Sequence, residues 1–199
     1  MKNNVIVKEK GKNLKIRGDD CWALEISINW KNIGDIEVSQ ASIHDIWALK
    51  HWFLSLYPKS RATLNLFPVD ERIEVFIARH LKRSDKHIDI MYNAWLGDKI
   101  IGHFFIWDYL SGKPEIGFGI LDNYQKNKLG YFFAIILINI VKLIGKKELC
   151  LTTMLKNEAA FNLYKSIGFE RIGETETVLP GYDYTEKEHV MKINLVKFK

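Results

Sequence analysis

The chain has little from which to build a cross-linked or metal-held scaffold. Cys21 and Cys150 are its only cysteines. They form no C-x-x-C, so reduced thiols are expected rather than a disulfide. The six histidines never fall at a spacing such as H-x-x-x-H, and no metal is expected. No five like charges stand in succession. The net charge of +5 therefore comes without a basic tail or a nucleic-acid recognition motif, and no nucleic-acid partner is expected. G-x-x-x-x-G-K-[ST] is missing. Gly117 and Gly119 give a G-x-G, but Asp122 stands where a dinucleotide fingerprint needs its third glycine. The nearly all-apolar stretch Leu129 to Val141, between Lys128 and Lys142 and interrupted by Asn139, falls short of the roughly 20 residues of a spanning helix. It reads as a helix buried in a soluble fold, with no membrane partner. The polar start, MKNNVIVKEKGKNLKIRGDD, has no apolar h-region, so no secretory signal is expected and a cytoplasmic location is.

What is present suits one globular domain with a sizeable core: 199 residues, 47% hydrophobic and 13% aromatic. Residues 1 to 34 read as an N-terminal extension with a short hairpin around Lys10–Asn13, and 35 to 199 as the main domain. Ile36 to Ala41 reads as a strand. Ser42 and Asp45 resemble a capping box opening a helix that runs to Leu56. Lys59 to Phe67 reads as a loop, followed by a second helix from about Pro68 to Leu81. Strands are expected over His87–Leu96 and Lys99–Tyr109, joined at Gly97–Asp98, and over Glu115–Leu121. The helix from Leu129, a strand Glu148–Met154, a helix Asn157–Ile167 closed by Gly168, and strands Arg171–Glu176 and His189–Val196 complete the order.

Two segments carry chemistry. The loop Gln125-Lys126-Asn127-Lys128-Leu129-Gly130 opens the apolar helix. Free N–H groups of a helix's first turn, its dipole and two lysines make an anion site there. Taken alone, such a loop is more often a solvated helix start. In Asn157 to Phe169, Asn157 suits an N-cap. Tyr164 sits at the edge of the Ala160, Leu163, Ile167 stripe, where a phenol can bury its ring and keep its hydroxyl near a cleft, or can be an ordinary core tyrosine.

N-x-x-A-x-x-L-Y-x-x-x-G-F, met from Asn157 to Phe169, resembles the C-terminal motif of the GNAT superfamily of acyl-CoA-dependent N-acetyltransferases. Gln125 to Gly130 is similar to its cofactor motif, [RQ]-x-x-G-x-[GA], with Lys128 in the place of the middle glycine. The resemblance implies an α+β fold in α/β/α layers. It implies a mixed, mostly antiparallel sheet of about seven strands, flanked by about four helices and with two central strands splayed. It also implies transfer of an acetyl group from acetyl-CoA to a primary amine by direct attack. A non-catalytic acyl-CoA sensor on the same fold is the alternative. By this resemblance the backbone at Ile120 and Leu121 holds the pantetheine arm, Gln125, Lys126, Asn127, Lys128, Leu129, Gly130 and Tyr131 hold the diphosphate, and Asn157 lies near the thiol. Tyr164 becomes the general acid and Glu115 the base, with His103 and Asp108 as alternatives. Tyr57, Arg61 and Tyr182 are the acceptor-binding candidates, small molecules being favoured slightly over proteins. An exposed last strand leaves room for a homodimer.

Overall fold

The structure, a computed structural model, describes residues 8–9, 12–13, 15–17, 25–178 and 185–198. Two short strands, β1 (Lys8–Glu9) and β2 (Lys12–Asn13), pair antiparallel. β3 (Lys15–Arg17), β4 (Glu25–Trp30) and β5 (Gly34–Gln40) follow, then α1 (Ile46–Ser55), α2 (Pro58–Leu64) and α3 (Ile73–Asp85). Next come β6 (Ile90–Leu96), β7 (Lys99–Trp107), β8 (Glu115–Ile120) and α4 (Leu129–Leu143). β9 (Glu148–Met154), α5 (Glu158–Ile167), β10 (Glu170–Val178) and β11 (Thr185–Asn194) end the order.

One nine-stranded sheet runs β10-β11-β9-β8-β7-β6-β5-β4-β3. Its seven strands from β5 onward answer to the expected seven. β3 and β4 lie in the segment read as an extension, and β4 pairs with β5 from Ile26↔Val38 to Trp30↔Gly34. The boundary after residue 34 thus falls at the first residue of β5, inside one continuous sheet.

Burial follows the layers. β4 alternates, burying Ile26, Ile28 and Trp30 and exposing the residues between them, as a strand with one covered face does. β6 and β7 are buried on both faces for most of their length. α4 and α5 cover one face around Phe104, Phe133, Ile136 and Leu151. α1 and α3 cover the other around Trp52, Phe53, Ile77 and Phe105. Gly102 admits α4 to the sheet, since a Cβ there would stand 2.6 Å from the Phe133 ring, which stacks on Phe104 at 4.5 Å. Burying each such ring contributes about 1.5–3 kcal/mol. No helix among the described residues is long and apolar enough to cross a membrane.

Two local readings change. Lys59 to Phe67 was expected as a loop, yet Pro58 to Leu64 is helical with Pro58 in the first turn. Proline has no N–H to lose there and a fixed φ suited to a helix start, so it opens α2 rather than merely ending α1. The second helix begins at Ile73 instead of near Pro68, after a turn in which Asp70 accepts from the Arg72 N–H at 2.8 Å. The capping box is present: Asp45 accepts from the Ser42 N–H at 2.9 Å.

Candidate active site

β8 and β9 are the sheet's parallel neighbours, and they register at a single pair, Glu115↔Cys150. The Cys150 N–H donates to the Pro114 carbonyl at 3.1 Å. Beyond that point β9 pairs with β11 along its whole length and β8 with β7, so the two strands diverge and a gap opens toward their C-terminal ends. The Leu121 N–H donates to the Ile101 carbonyl at 2.9 Å. Peptide groups alternate sides along an antiparallel strand, so those of Phe118 and Ile120 point the other way, into the gap. Of these, the Ile120 carbonyl accepts from Gln125 Nε2 at 3.0 Å. The Ile120 N–H and both peptide groups of Phe118 line the open edge.

The gap leads to the loop before α4. Gln125 is extended, and Lys126 and Lys128 take left-handed backbone at φ 61° and 65°. Each costs a non-glycine residue about 1–2 kcal/mol. Lys128 is the N-cap, without a side-chain cap bond. The Phe132 N–H donates to the Lys128 carbonyl at 3.1 Å, which leaves the N–H groups of Leu129, Gly130 and Tyr131 without intrahelical acceptors. Those N–H groups and the two exposed lysines make a positively charged rim at the open end of the gap. Gly130 is needed for packing, because a Cβ there would meet Leu163 at 3.0 Å and Phe118 at 3.4 Å. Trp30 holds the loop from outside, its indole N–H donating to the Asn127 carbonyl at 3.0 Å. That contact spans 97 positions of sequence and has no local signature to betray it.

Across the gap, Asn157 caps α5 by accepting from the Ala160 N–H at 3.2 Å, and Gly168 closes the helix at φ 113°. Tyr164 packs edge-on to Phe118 and Phe169, at 5.7 and 5.6 Å. It is 5% exposed. Burial raises the phenol pKa above its ordinary value, so it is protonated at neutral pH. Among the described residues its hydroxyl has no hydrogen-bond partner.

Glu115 stands where the gap closes. Along β8, Gly117 and Gly119 face Phe105 and Trp52 of the α1–α3 layer, whereas Phe118 faces Tyr164. Glu115, in step with Gly117, lies on the α1–α3 face. Tyr164 therefore reaches the gap from one face of the sheet and Glu115 from the other. Burial first, then the charges of Glu188 and Asp108, push the Glu115 carboxyl pKa up.

The other candidates are engaged elsewhere. His103 is fully buried and joined to His80 Nε2 at 2.9 Å and Asn93 Oδ1 at 2.8 Å. Asp108 pairs with Arg83 at 2.8 Å. The Tyr57 hydroxyl donates to Asn123 Oδ1 at 3.1 Å, and the Arg61 guanidinium donates to the Leu54 carbonyl at 2.6 Å. Tyr182 lies outside the described residues. Among the described residues, no cluster of His, Cys, Asp and Glu is arranged to hold a metal ion.

No family model matches the chain, and no curated protein is similar to it in sequence. Solved structures are similar in fold. The ribosomal-protein-S5-alanine acetyltransferase from Vibrio fischeri superposes with a TM-score of 0.68 at 12% identity, covering 87% of this chain and 98% of that one. An acetyltransferase of the GNAT family from Streptococcus pneumoniae gives 0.56 at 20% identity, covering 80% and 99%. This is the GNAT fold. A third structure, the ribosomal-protein-S18-alanine N-acetyltransferase from Escherichia coli, gives 0.62 at 19% identity, over 80% and 94%. In the terms of that fold, the strand pair that splits is β8–β9, and the loop at its open end is Gln125–Gly130.

Proposed function

We propose that this chain is an N-acetyltransferase, probing for its amine acceptor on one face of the sheet and taking acetyl-CoA from the other, in the cytoplasm. The observation that carries the reading is the single-pair contact between β8 and β9, which opens onto the positively charged start of α4. Lys126, Lys128 and the N–H groups of Leu129, Gly130 and Tyr131 hold the diphosphate. The open edge at Phe118 and Ile120 holds the pantetheine arm, with Leu121 fixed in the sheet behind it and Asn157 opposite.

Glu115 takes the proton from the acceptor's ammonium group. The neutral amine nitrogen attacks the thioester carbonyl, a C–N bond forms and the C–S bond breaks, and the second proton that the nitrogen sheds balances the departing thiolate, which leaves as free thiol. Tyr164 directs its O–H at the departing sulfur. An alkyl thiol has a pKa of about 8.5, below that of this phenol, so the donated hydrogen bond carries most of the effect and full transfer of the proton is the lesser part. A positioned acid contributes on the order of 100- to 10,000-fold, about 3–5 kcal/mol of barrier.

Release of free thiol from acetyl-CoA, followed with a panel of primary amines, tests the reading. Turnover with at least one amine is expected. Saturable binding of acetyl-CoA with neither aminolysis nor slow hydrolysis contradicts it and leaves a non-catalytic acyl-CoA binder.

A further inference from the structure

A cavity of about 780 Å³ opens on the α1–α3 face, between the end of α3 and the turn from β7 to β8. Its walls include His80, Arg83, Lys86, Trp107, Lys113 and Glu115. That volume suits a small molecule. Glu115 belongs both to this cavity and to the closed end of the β8–β9 gap.

The charges on its walls are unevenly matched. Arg83 is committed, holding fully buried Asp89 through two hydrogen bonds and Asp108 through a third. Among the described residues, Lys86 and Lys113 pair with no carboxylate and Glu115 with no base. The carboxylate is half-buried at the inner wall and the two ammonium groups are exposed at the rim.

His80 adds an acceptor to the inner wall, and a carboxylate three groups away dictates it. Asp45 Oδ2 accepts from the Ser42 N–H at 2.9 Å and from Asn93 Nδ2 at 3.1 Å. Asn93 therefore turns its carbonyl oxygen to His103 Nδ1 at 2.8 Å, so that nitrogen carries the proton. Burial keeps both imidazoles neutral, and His80 is held down at about 3 by burial and by Arg83. His103 Nε2 is then an acceptor, and His80 Nε2, 2.9 Å away, must donate to it. What remains is His80 Nδ1, a lone-pair acceptor on a ring that is 8% exposed and lines the cavity.

We infer that this cavity receives the acceptor and that the acceptor is a small amine carrying an anionic group: its amine meets Glu115 and His80 Nδ1, and its carboxylate or phosphate meets Lys86 and Lys113. The inference rests on the acetyltransferase reading. A purely cationic amine would leave both lysines unmatched, and an amine with a neutral tail would gain nothing from them.

Thiol release with acetyl-CoA is measured for two matched pairs, β-alanine against its amide and O-phosphoethanolamine against ethanolamine, alongside calorimetry of acetyl-CoA alone. At least one anionic amine should exceed its neutral partner by about tenfold in kcat/KM, the scale of two exposed ion pairs, and the responding pair tells carboxylate from phosphate. In the double variant Lys86→Ala, Lys113→Ala the preference should vanish, the anionic amine falling to the kcat/KM of its neutral partner. Equal turnover within both pairs, or a preference that survives the double variant, overturns the inference. So does acetyl-CoA binding with none of the four amines acetylated. Failure to bind acetyl-CoA at all is a different result, and it removes the functional reading itself.

Discussion

Tyr164 and Glu115 are both pushed toward their protonated forms by burial, and their proposed roles need opposite states. The phenol acts as it stands. Tyr164→Phe keeps the ring against Phe118 and removes the donor, so kcat should fall on the order of 100-fold or more, while the dissociation constant for CoA measured by calorimetry stays unchanged. The carboxyl must lose its proton to serve. The kcat/KM profile should therefore rise with pH through a value above the ordinary carboxylate range and then level off, and Glu115→Gln should abolish that limb. Stability should move the other way. The folded-state pKa is raised, so the stabilisation from Glu115 is fully present below its unfolded pKa and is lost as pH climbs through the folded one. Glu115→Gln should accordingly be no less stable than the native chain at neutral pH, as read from urea midpoints. A drop in stability there would mean that the carboxylate is held by a favourable contact instead.

Among the elements, the loop before α4 holds two left-handed non-glycine residues, Lys126 and Lys128. Lys128 adopts the backbone that the motif's glycine would adopt freely. Lys128→Gly should relieve about 1 kcal/mol, partly offset by the looser unfolded chain, and should raise the urea midpoint. An unchanged or lower midpoint would show that the lysine side chain compensates. The loop and α5 were legible in the sequence because their signals are local: Asn157, Tyr164 and Gly168 fall at cap, stripe and closing positions of one helix, and Gln125 to Gly130 adjoins one apolar run. α2 was not, because Pro58 serves equally as the stop after α1 and as the first turn of the next helix. The place of β4 in the main sheet is not legible locally for a different reason. Its role shows only in pairing with β5 and in the bond from Trp30 to Asn127, and a contact between distant segments leaves no periodicity in either. The side-chain bonds of Arg61 to Leu54 and of Tyr57 to Asn123 follow from three-dimensional placement that residue type within the segment does not display.

At the scale of the molecule, two cores on opposite faces are joined by a sheet that is continuous except where β8 leaves β9. The polar chain from Asp45 through Asn93 and His103 to His80 ties the turn before α1, β6, β7 and α3 together on one face, and it makes the fold sensitive to acid. Both histidines have depressed pKa values in the folded state and ordinary ones, about 6.5, when unfolded. The unfolded chain binds the extra protons, so stability is full above about pH 6.5 and falls as pH drops toward the folded value, by up to about 1.4 kcal/mol per pH unit for each histidine. Urea midpoints between pH 7 and pH 5 should show this slope, and His103→Gln should flatten it; a slope that is the same in the variant would assign the acid sensitivity to other groups. The split in the sheet is what the functional account depends on, and titration calorimetry with CoA at low ionic strength tests it most directly. The account predicts saturable heat that weakens as salt screens Lys126 and Lys128 and that is lost in Lys126→Glu, Lys128→Glu. Absence of saturation at low salt, or binding indifferent to both substitutions, would contradict it.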